Sequence, residues 1–217
     1  MFDVDGTLVD SSYLHTVTWW QALRQAGHTV PMARVHRAVG LGTGRLLDRL
    51  LGEERDRGGD GELSAAHSAL YAAHWPALQP LPGAARLLRA CAARGWTVVL
   101  ATSAQQEELQ VLRKVLDAED AIADAVSADD VDRAKPAPDL VEQALAKAGV
   151  TAERAVFVGD TRWDVEAAHR SAVRCIGVLS GGVSRAELLA AGADGVYQDP
   201  ADLADHLDAS ALSHGRR

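Results

Sequence analysis

Apolar and polar positions follow two different patterns along the chain, and the pattern changes near residue 80. From about residue 82 onward, short apolar runs typical of buried strands alternate with amphipathic segments typical of helices. The predicted strands cover residues 96–101, 125–127, 155–158, 175–179 and 195–197. The predicted helices cover residues 82–94, 105–116, 139–148, 163–172 and 185–191. This alternation predicts an α/β fold in which helices cover both faces of a parallel sheet.

The earlier part of the chain lacks a convincing strand pattern and contains helical patterns instead. Helices are predicted at residues 13–26, 45–51 and 63–77. The sequence therefore predicts an all-α insert, residues 11–79, within a core formed by residues 1–10 and 80–208. The remaining residues, 209–217, are predicted to form a disordered tail.

Composition and charge are those of an ordinary soluble protein. The 217 residues allow one core plus an insert, and 47% hydrophobic and 24% charged residues are usual values for globular domains. A formal net charge of -8 leaves no broad basic surface, which disfavours nucleic-acid binding. Because no apolar run approaches the roughly 18 residues of a membrane span, we expect a cytoplasmic protein without membrane contact. Cys91 and Cys175 are predicted to be reduced, buried thiols.

The chain begins with two carboxylates at positions i and i+2, Asp3 and Asp5, followed directly by Gly6. On an extended segment both side chains face the same side, and the glycine permits a sharp turn after them. By itself this motif also fits an ordinary turn or a calcium-binding loop. The motif alone therefore leaves its chemistry open.

Further polar residues follow the predicted strands at the point where each strand ends. Thr102 and Ser103 follow the strand that ends at residue 101, Asp160 and Asp164 follow the one that ends at residue 158, and Lys135 lies in the connection between them. In open parallel sheets, ligands bind in the crevice beyond the carboxyl ends of the strands. We therefore expect these side chains to converge with the N-terminal carboxylates.

Such convergence would bring together four acidic residues, Asp3, Asp5, Asp160 and Asp164. Neighbouring carboxylates raise one another's pKa, so they cannot all stay ionised without a compensating charge. A divalent cation supplies that charge. Because the ligands would all be oxygen atoms with room for water and a phosphate, Mg²⁺ fits the site better than Zn²⁺.

Each of these signals has an ordinary structural alternative. Thr102 and Ser103 could cap the helix that begins near residue 105, and Lys135 could be an exposed loop lysine. Asp160 and Asp164 could be a helix N-cap and a first-turn acid that the helix dipole stabilises. Each alternative explains one signal, but the four signals together favour a phosphate site.

The order and spacing of the four signals resembles the motifs of the haloacid dehalogenase superfamily. The first motif matches residues 3–7, the second Thr102, the third Lys135 and the fourth Asp160 with Asp164. The resemblance is to phosphatase-like members with an inserted α-helical cap, the phosphoglycolate phosphatase and β-phosphoglucomutase group. It implies a Rossmann-like three-layer core with residues 11–79 as the cap.

The resemblance also implies a role for each residue. Asp3 would attack phosphorus and form an aspartyl-phosphate, and Asp5 would act as general acid and then as general base. Mg²⁺ would be held by Asp3, the main-chain carbonyl of Asp5 and Asp160, with Asp164 supporting the metal site. The phosphate oxygens would be held by Lys135, the Thr102 hydroxyl and the amides of Ser103 and Ala104.

The substrate is the least predictable feature, because in this family the cap sets specificity. Candidate cap residues are His15, Trp19, Arg45 and Arg49. Residues 40–45 resemble a substrate-contacting cap loop, in which Arg45 could pair with a second anionic group. A surface arginine at a helix N-terminus is an equally good interpretation. We therefore expect only a small phosphorylated metabolite.

The same fold supports activities other than phosphate release. A phosphosugar mutase and a catalytically silent phosphate-binding member remain alternatives. A phosphonate hydrolase that uses a cap lysine is disfavoured because no lysine precedes Lys114. A dehalogenase is disfavoured because carbon–halogen displacement does not need the acid Asp5.

Two further features bear on the start of the chain and on assembly. Only Met1 and Phe2 precede Asp3, whereas a buried strand usually has about five or six residues. We therefore expect the native start to lie upstream of Met1. The sequence does not indicate an oligomeric state.

Overall fold

The computed structural model describes residues 1–215, and in this part of the chain it contains five short strands that pair in parallel. The strands are β1 (Val99–Ala101), β2 (Asp124–Val126), β3 (Val156–Gly159), β4 (Arg174–Val178) and β5 (Gly195–Tyr197). Strands β1 and β2 pair with each other, and β3, β4 and β5 pair in that order. The predicted α/β fold with a parallel sheet is confirmed.

The first residues of the chain join these two groups of strands. The Phe2 amide donates to the Val99 carbonyl at 2.9 Å, and the Ala101 amide donates to the Phe2 carbonyl at 2.7 Å. On the other side, the Asp3 amide donates to the Val158 carbonyl at 2.9 Å. Residues 1–3 therefore lie between β1 and β3 at the centre of the sheet. Although this segment is short, backbone hydrogen bonds on both sides hold Asp3 in place.

Helices cover both faces of the sheet. The helices are α5 (Ala84–Ala93), α6 (Gln106–Leu116), α7 (Asp139–Ala148), α8 (Arg162–Arg170), α9 (Arg185–Ala191) and α10 (Pro200–Asp205). Alternate sheet residues point to opposite sides, so Leu100 packs in the cluster that contains α5 and α6, whereas Val99 packs in the cluster that contains α7 and α8. Cys91 and Cys175 are buried free thiols, one in each cluster, as predicted.

Residues 11–79 are mainly helical, as predicted, and we call this segment the cap. Its helices are α1 (Ser12–Gln25), α2 (Met32–His36), α3 (Thr43–Leu51) and α4 (Asp60–Ala72). They enclose a separate hydrophobic cluster that includes Trp19, Leu23 and Leu47. Helix α2 was not predicted, because its five residues are too few to show a helical period.

The end of the described chain is ordered against the core, which corrects the predicted disorder from residue 209. Short 3-10 turns form at Leu207–Ala209 and Ala211–Gly215. Ala211 and Leu212 pack against the larger core cluster, and the Arg174 guanidinium donates to the Ala211 carbonyl at 2.9 Å. These contacts dock the segment against the core. Residues 216 and 217 lie outside the described part of the chain.

No helix within residues 1–215 is both long enough and apolar enough to cross a bilayer.

Candidate active site

The strand ends bring the predicted acidic residues together. Asp3 follows the central segment of the sheet, and Asp160 follows the adjacent strand β3. Asp164 lies in the first turn of α8, and Lys135 lies in the connection between β2 and α7. All of these side chains are buried. The predicted convergence beyond the carboxyl ends of the strands is present.

Three carboxylates and one lysine lie close together beyond the strand ends. Oxygen atoms of Asp3, Asp160 and Asp164 all lie within 4.8 Å of one another. The Lys135 ammonium donates to Asp3 Oδ1 at 2.8 Å and to Asp164 Oδ1 at 2.7 Å. Its side chain is only 1% exposed, so Lys135 is an inward-facing cation and not the surface lysine of the alternative interpretation. One lysine leaves the cluster with an excess of negative charge.

The pKa values reflect this excess. Burial raises the pKa of Asp3 to about 7 despite the charge of Lys135, and the Asp164 carboxylate adds to the increase. Burial and the neighbouring Asp164 also raise the pKa of Asp160 well above its usual range. Although burial alone would lower the pKa of Lys135, the Asp164 and Asp3 carboxylates raise it, which keeps the ammonium charged. The cluster therefore requires further positive charge, either protons or a cation.

The surroundings of Asp160 fit a hard divalent cation. The Thr7 hydroxyl donates to Asp160 Oδ1 at 3.0 Å, which orients the carboxylate. A Cβ atom at Gly6 would lie 2.5 Å from Asp160 Oδ2, and one at Gly181 would overlap the same oxygen. Glycine at both positions therefore keeps the space beside this oxygen clear. A buried, oxygen-only donor set with excess negative charge is the kind that Mg²⁺ prefers.

The side chain of Asp5 turns away from these three carboxylates. Its Oδ1 atom accepts a hydrogen bond from the Ser11 hydroxyl at 2.6 Å and lies 3.2 Å from His15 Nε2. Its Oδ2 atom accepts from the Thr102 hydroxyl at 3.3 Å. Although burial alone would raise the pKa of Asp5, the hydrogen bond with His15 lowers it. The Asp5 carboxylate is therefore held by Ser11, His15 and Thr102 and is not part of the cluster formed by Asp3, Asp160 and Asp164.

His15 connects Asp5 to the cap and to helix α6. Its Nε2 atom also lies 3.4 Å from Glu108 Oε1, and its Nδ1 atom lies 3.3 Å from His67 Nε2. Although burial alone would lower the pKa of His15, hydrogen bonds with Asp5 and Glu108 raise it to about 10. Burial and the nearby His15 charge lower the pKa of His67 to about 2, so His67 is neutral. His15 is consequently a cation that donates from both ring nitrogens.

Thr102, Ser103 and Ala104 lie between β1 and α6, and Thr102 and Ala104 are buried. The Ala104 amide donates to the Thr102 hydroxyl oxygen at 3.0 Å, and the Ser103 hydroxyl donates to the Gly40 carbonyl at 3.4 Å. All three residues line a cavity together with Asp3 and Asp5. The Ala104 amide, which was predicted to hold a phosphate oxygen, is already bonded to Thr102.

A cavity of about 340 Å³ lies between the cap and the core, directly beside these residues. Its walls include Asp3, Asp5, Lys135 and the predicted cap residues His15 and Trp19. Of the cap residues predicted to bind substrate, Arg45 is exposed on α3 and lies outside the lining. The buried side of α3 carries Leu46, Leu47 and Leu50, so the packing of the cap turns Arg45 toward solvent.

Sequence reasoning missed three residues of the site, Ser11, His67 and Glu108. Ser11 immediately precedes α1, and His15 follows it by four residues, which is one helical turn. That spacing was a signal in the sequence that both could face Asp5. His67 and Glu108 carried no such signal, because they reach His15 from α4 and α6 only through tertiary packing.

Comparisons with known proteins agree with this geometry. The family model described as haloacid dehalogenase-like hydrolase matches residues 1–171. A phosphoglycolate phosphatase of Rhodospirillum rubrum is 35% identical over 218 residues, which cover 95% of this chain and 89% of that protein. A phosphoglycolate phosphatase of Neisseria gonorrhoeae is 30% identical over 186 residues, which cover 83% of this chain and 79% of that protein.

Solved structures share the fold over nearly the whole chain. A hydrolase from Pseudomonas syringae superposes with a TM-score of 0.91 at 36% identity, covering 96% of each chain. CbbY from Rhodobacter sphaeroides, solved in complex with phosphate, superposes with a TM-score of 0.76 at 24% identity and covers 93% of this chain and 94% of its own. The family model, the curated relatives and the Rossmann-like core with its helical cap lead to one assignment. The chain belongs to the haloacid dehalogenase-like hydrolases.

Proposed function

We propose that this protein is a Mg²⁺-dependent phosphatase that hydrolyses a small phosphorylated metabolite through an aspartyl-phosphate on Asp3. The observation that carries the proposal is the position of Asp3, which is buried at the centre of the sheet and paired with Lys135 beside a cavity. The two curated relatives named above are phosphoglycolate phosphatases, which supports phosphate esters as the substrate class.

In the first step, a carboxylate oxygen of Asp3 attacks phosphorus in line with the leaving oxygen. The new O–P bond forms as the P–O bond to the alcohol breaks, and Asp5 gives the departing oxygen a proton. Asp5 is ionised in the free site, and the negative charge of a bound phosphate favours its uptake of that proton. Lys135 orients Asp3 and compensates negative charge during the transfer.

In the second step, water attacks phosphorus and Asp5 takes the proton of that water. The bond between Asp3 and phosphorus breaks, inorganic phosphate leaves, and Asp5 releases its proton to solvent, so both carboxyl groups return to their initial state. Ser11, His15 and Thr102 hold Asp5 in a fixed direction, so one carboxyl group can serve both steps. The Thr102 hydroxyl and the Ser103 amide would contact the phosphate oxygens.

Asp3, Asp160 and the main-chain carbonyl of Asp5 would hold Mg²⁺, with Asp164 orienting Lys135 and completing the acidic cluster. When bound, the ion would neutralise the phosphate charge that otherwise repels the Asp3 carboxylate. We also propose residues 11–79 as the cap domain that selects the substrate. Substrate contact by Arg45 stays a prediction.

The proposal is tested by measuring phosphate release from an aryl phosphate and a panel of phosphorylated metabolites, with Mg²⁺ or with a chelator. The wild-type protein should release phosphate only with the metal, and Asp3→Asn should lose activity by several orders of magnitude. The matched control is Asp205→Asn, because Asp205 is an exposed carboxylate paired with Arg86 on the core surface. Full activity in Asp3→Asn would refute the proposal.

A further inference from the structure

We propose that Glu108 determines substrate specificity and that the cavity selects phosphate esters of uncharged, hydroxyl-bearing alcohols over esters whose leaving group carries a carboxylate. This inference rests on the proposed phosphatase function and concerns the part of the substrate beyond the phosphate. The two curated relatives are phosphoglycolate phosphatases, and glycolate carries a carboxylate. The inference therefore assigns this chain a different substrate class.

The cationic groups of the cavity are already engaged. Within the described chain, the lysine, arginine and histidine side chains that line the cavity are Lys135, His15 and His67. Lys135 donates to the carboxylates of Asp3 and Asp164. His67 faces the ring of His15. A carboxylate on the leaving group would therefore find no free cationic partner.

Both nitrogens of His15 are also occupied by protein groups. Nε2 lies between Asp5 Oδ1 at 3.2 Å and Glu108 Oε1 at 3.4 Å, and Nδ1 lies 3.3 Å from His67 Nε2. The rings of His67 and Trp19 stack at a centroid distance of 4.1 Å, which keeps His67 in this position. A substrate carboxylate could bind His15 only by displacing one of these partners.

Carboxylate and hydroxyl side chains also line the cavity. Glu108 and Asp129 line the cavity from the core side, whereas Ser64 and Ser68 line it from α4. Glu108 Oε1 is buried and lies 3.4 Å from His15 Nε2, a cation that Glu108 shares with Asp5. A hydroxyl group near it would gain an acceptor, whereas a carboxylate would meet like charge and lose its hydration without compensation.

The comparison of two substrates of similar size tests this inference. We expect kcat/KM of the wild-type protein for glycerol phosphate to exceed that for phosphoglycolate by at least about tenfold. Glu108→Gln, which removes the charge and keeps the shape, should reduce that ratio, chiefly by lowering KM for phosphoglycolate. Glu107→Gln is the matched control, because Glu107 is the preceding residue of α6, is exposed and lies outside the cavity lining.

An aryl phosphate measured in parallel separates the two proposals. Hydrolysis of the aryl phosphate together with a preference for phosphoglycolate would overturn this inference and leave the phosphatase function intact. An unchanged substrate ratio in Glu108→Gln would also overturn it. A melting curve confirms that each variant is folded. If Glu108→Gln does not fold, the ratio of kcat/KM for the two substrates in the wild-type protein tests the inference by itself.

Discussion

At the scale of single residues, the site depends on an imbalance of buried charge. Asp3, Asp160 and Asp164 are buried beside one ammonium group, that of Lys135, which donates to two of them. Removing one partner of a buried ion pair leaves an uncompensated charge, which costs more than the pair itself contributes. Lys135 therefore stabilises the metal-free fold in addition to its proposed part in phosphate binding.

We expect Lys135→Met to lower the free energy of unfolding by about 3–5 kcal/mol in metal-free buffer near neutral pH. Carboxyl groups whose pKa is raised in the folded state lose their destabilising charge as the pH falls, so the deficit should shrink toward about pH 5. Urea denaturation with and without a chelator measures both effects.

The matched control is Lys147→Met. Lys147 is 27% exposed and pairs with Asp124 at 3.2 Å on the surface of the core. An exposed ion pair contributes about 0–1 kcal/mol, so this variant should show a small change that does not depend on the acidic cluster. Equal losses in the two lysine variants would contradict the proposed imbalance of charge.

At the scale of elements, the start of α8 links helix formation to the site. Thr161 is the N-cap residue of this helix, and its hydroxyl donates to Asp164 Oδ2 at 2.6 Å. The Asp164 amide donates back to the Thr161 hydroxyl oxygen at 3.3 Å, and Asp164 Oδ1 accepts from Lys135. The same carboxylate therefore caps a helix and orients the lysine of the site.

We expect Thr161→Ala to cost about 0.5–2 kcal/mol of stability and also to reduce kcat, because Asp164 loses one of its fixed partners. Ser184→Ala is the matched control, since Ser184 and Glu187 form the same capping arrangement at the start of α9. That variant should lose comparable stability and keep its activity. Equal effects of both variants on kcat would contradict the link between the α8 cap and the site.

The arrangement of strands and helices explains why part of the site could be predicted from the sequence. The parallel sheet brings strand ends to one edge, so residues such as Asp160 and Thr102 could be placed from local patterns alone. Glu108 and His67 could not be placed, because their contacts with His15 depend on how the cap packs on the core. The substrate contact predicted for Arg45 depended on a loop resemblance, and the structure places this residue on the exposed side of α3.

At the scale of the whole molecule, Trp163 connects the core to the hydrophobic cluster of the cap. This residue belongs to helix α8 of the core, yet its side chain packs in the cap cluster with Trp19 and Leu23. The guanidinium groups of Arg49 and Arg162 lie 5.2 Å and 4.9 Å from the centre of its ring. Trp163 therefore contributes to holding the cap on the core.

We expect Trp163→Ala to cost about 3–5 kcal/mol and to let the cap unfold before the core, which calorimetry would show as two transitions. KM should rise because the cap wall of the cavity is less well held. Trp96→Ala is the matched control, because Trp96 also lies beneath an arginine, Arg94, but packs only in the core cluster. A change in KM for Trp96→Ala as large as for Trp163→Ala would contradict this role.

The most direct test of the account asks which residue receives the phosphoryl group from an aryl phosphate in the presence of Mg²⁺. An aryl leaving group needs little protonation, so Asp5→Asn should release a stoichiometric burst of the aryl alcohol and then stall. Peptide mass mapping of the quenched variant should place the phosphoryl group on Asp3, and Asp3→Asn should show no burst. Phosphorylation of another residue, or steady turnover by Asp3→Asn, would contradict the account.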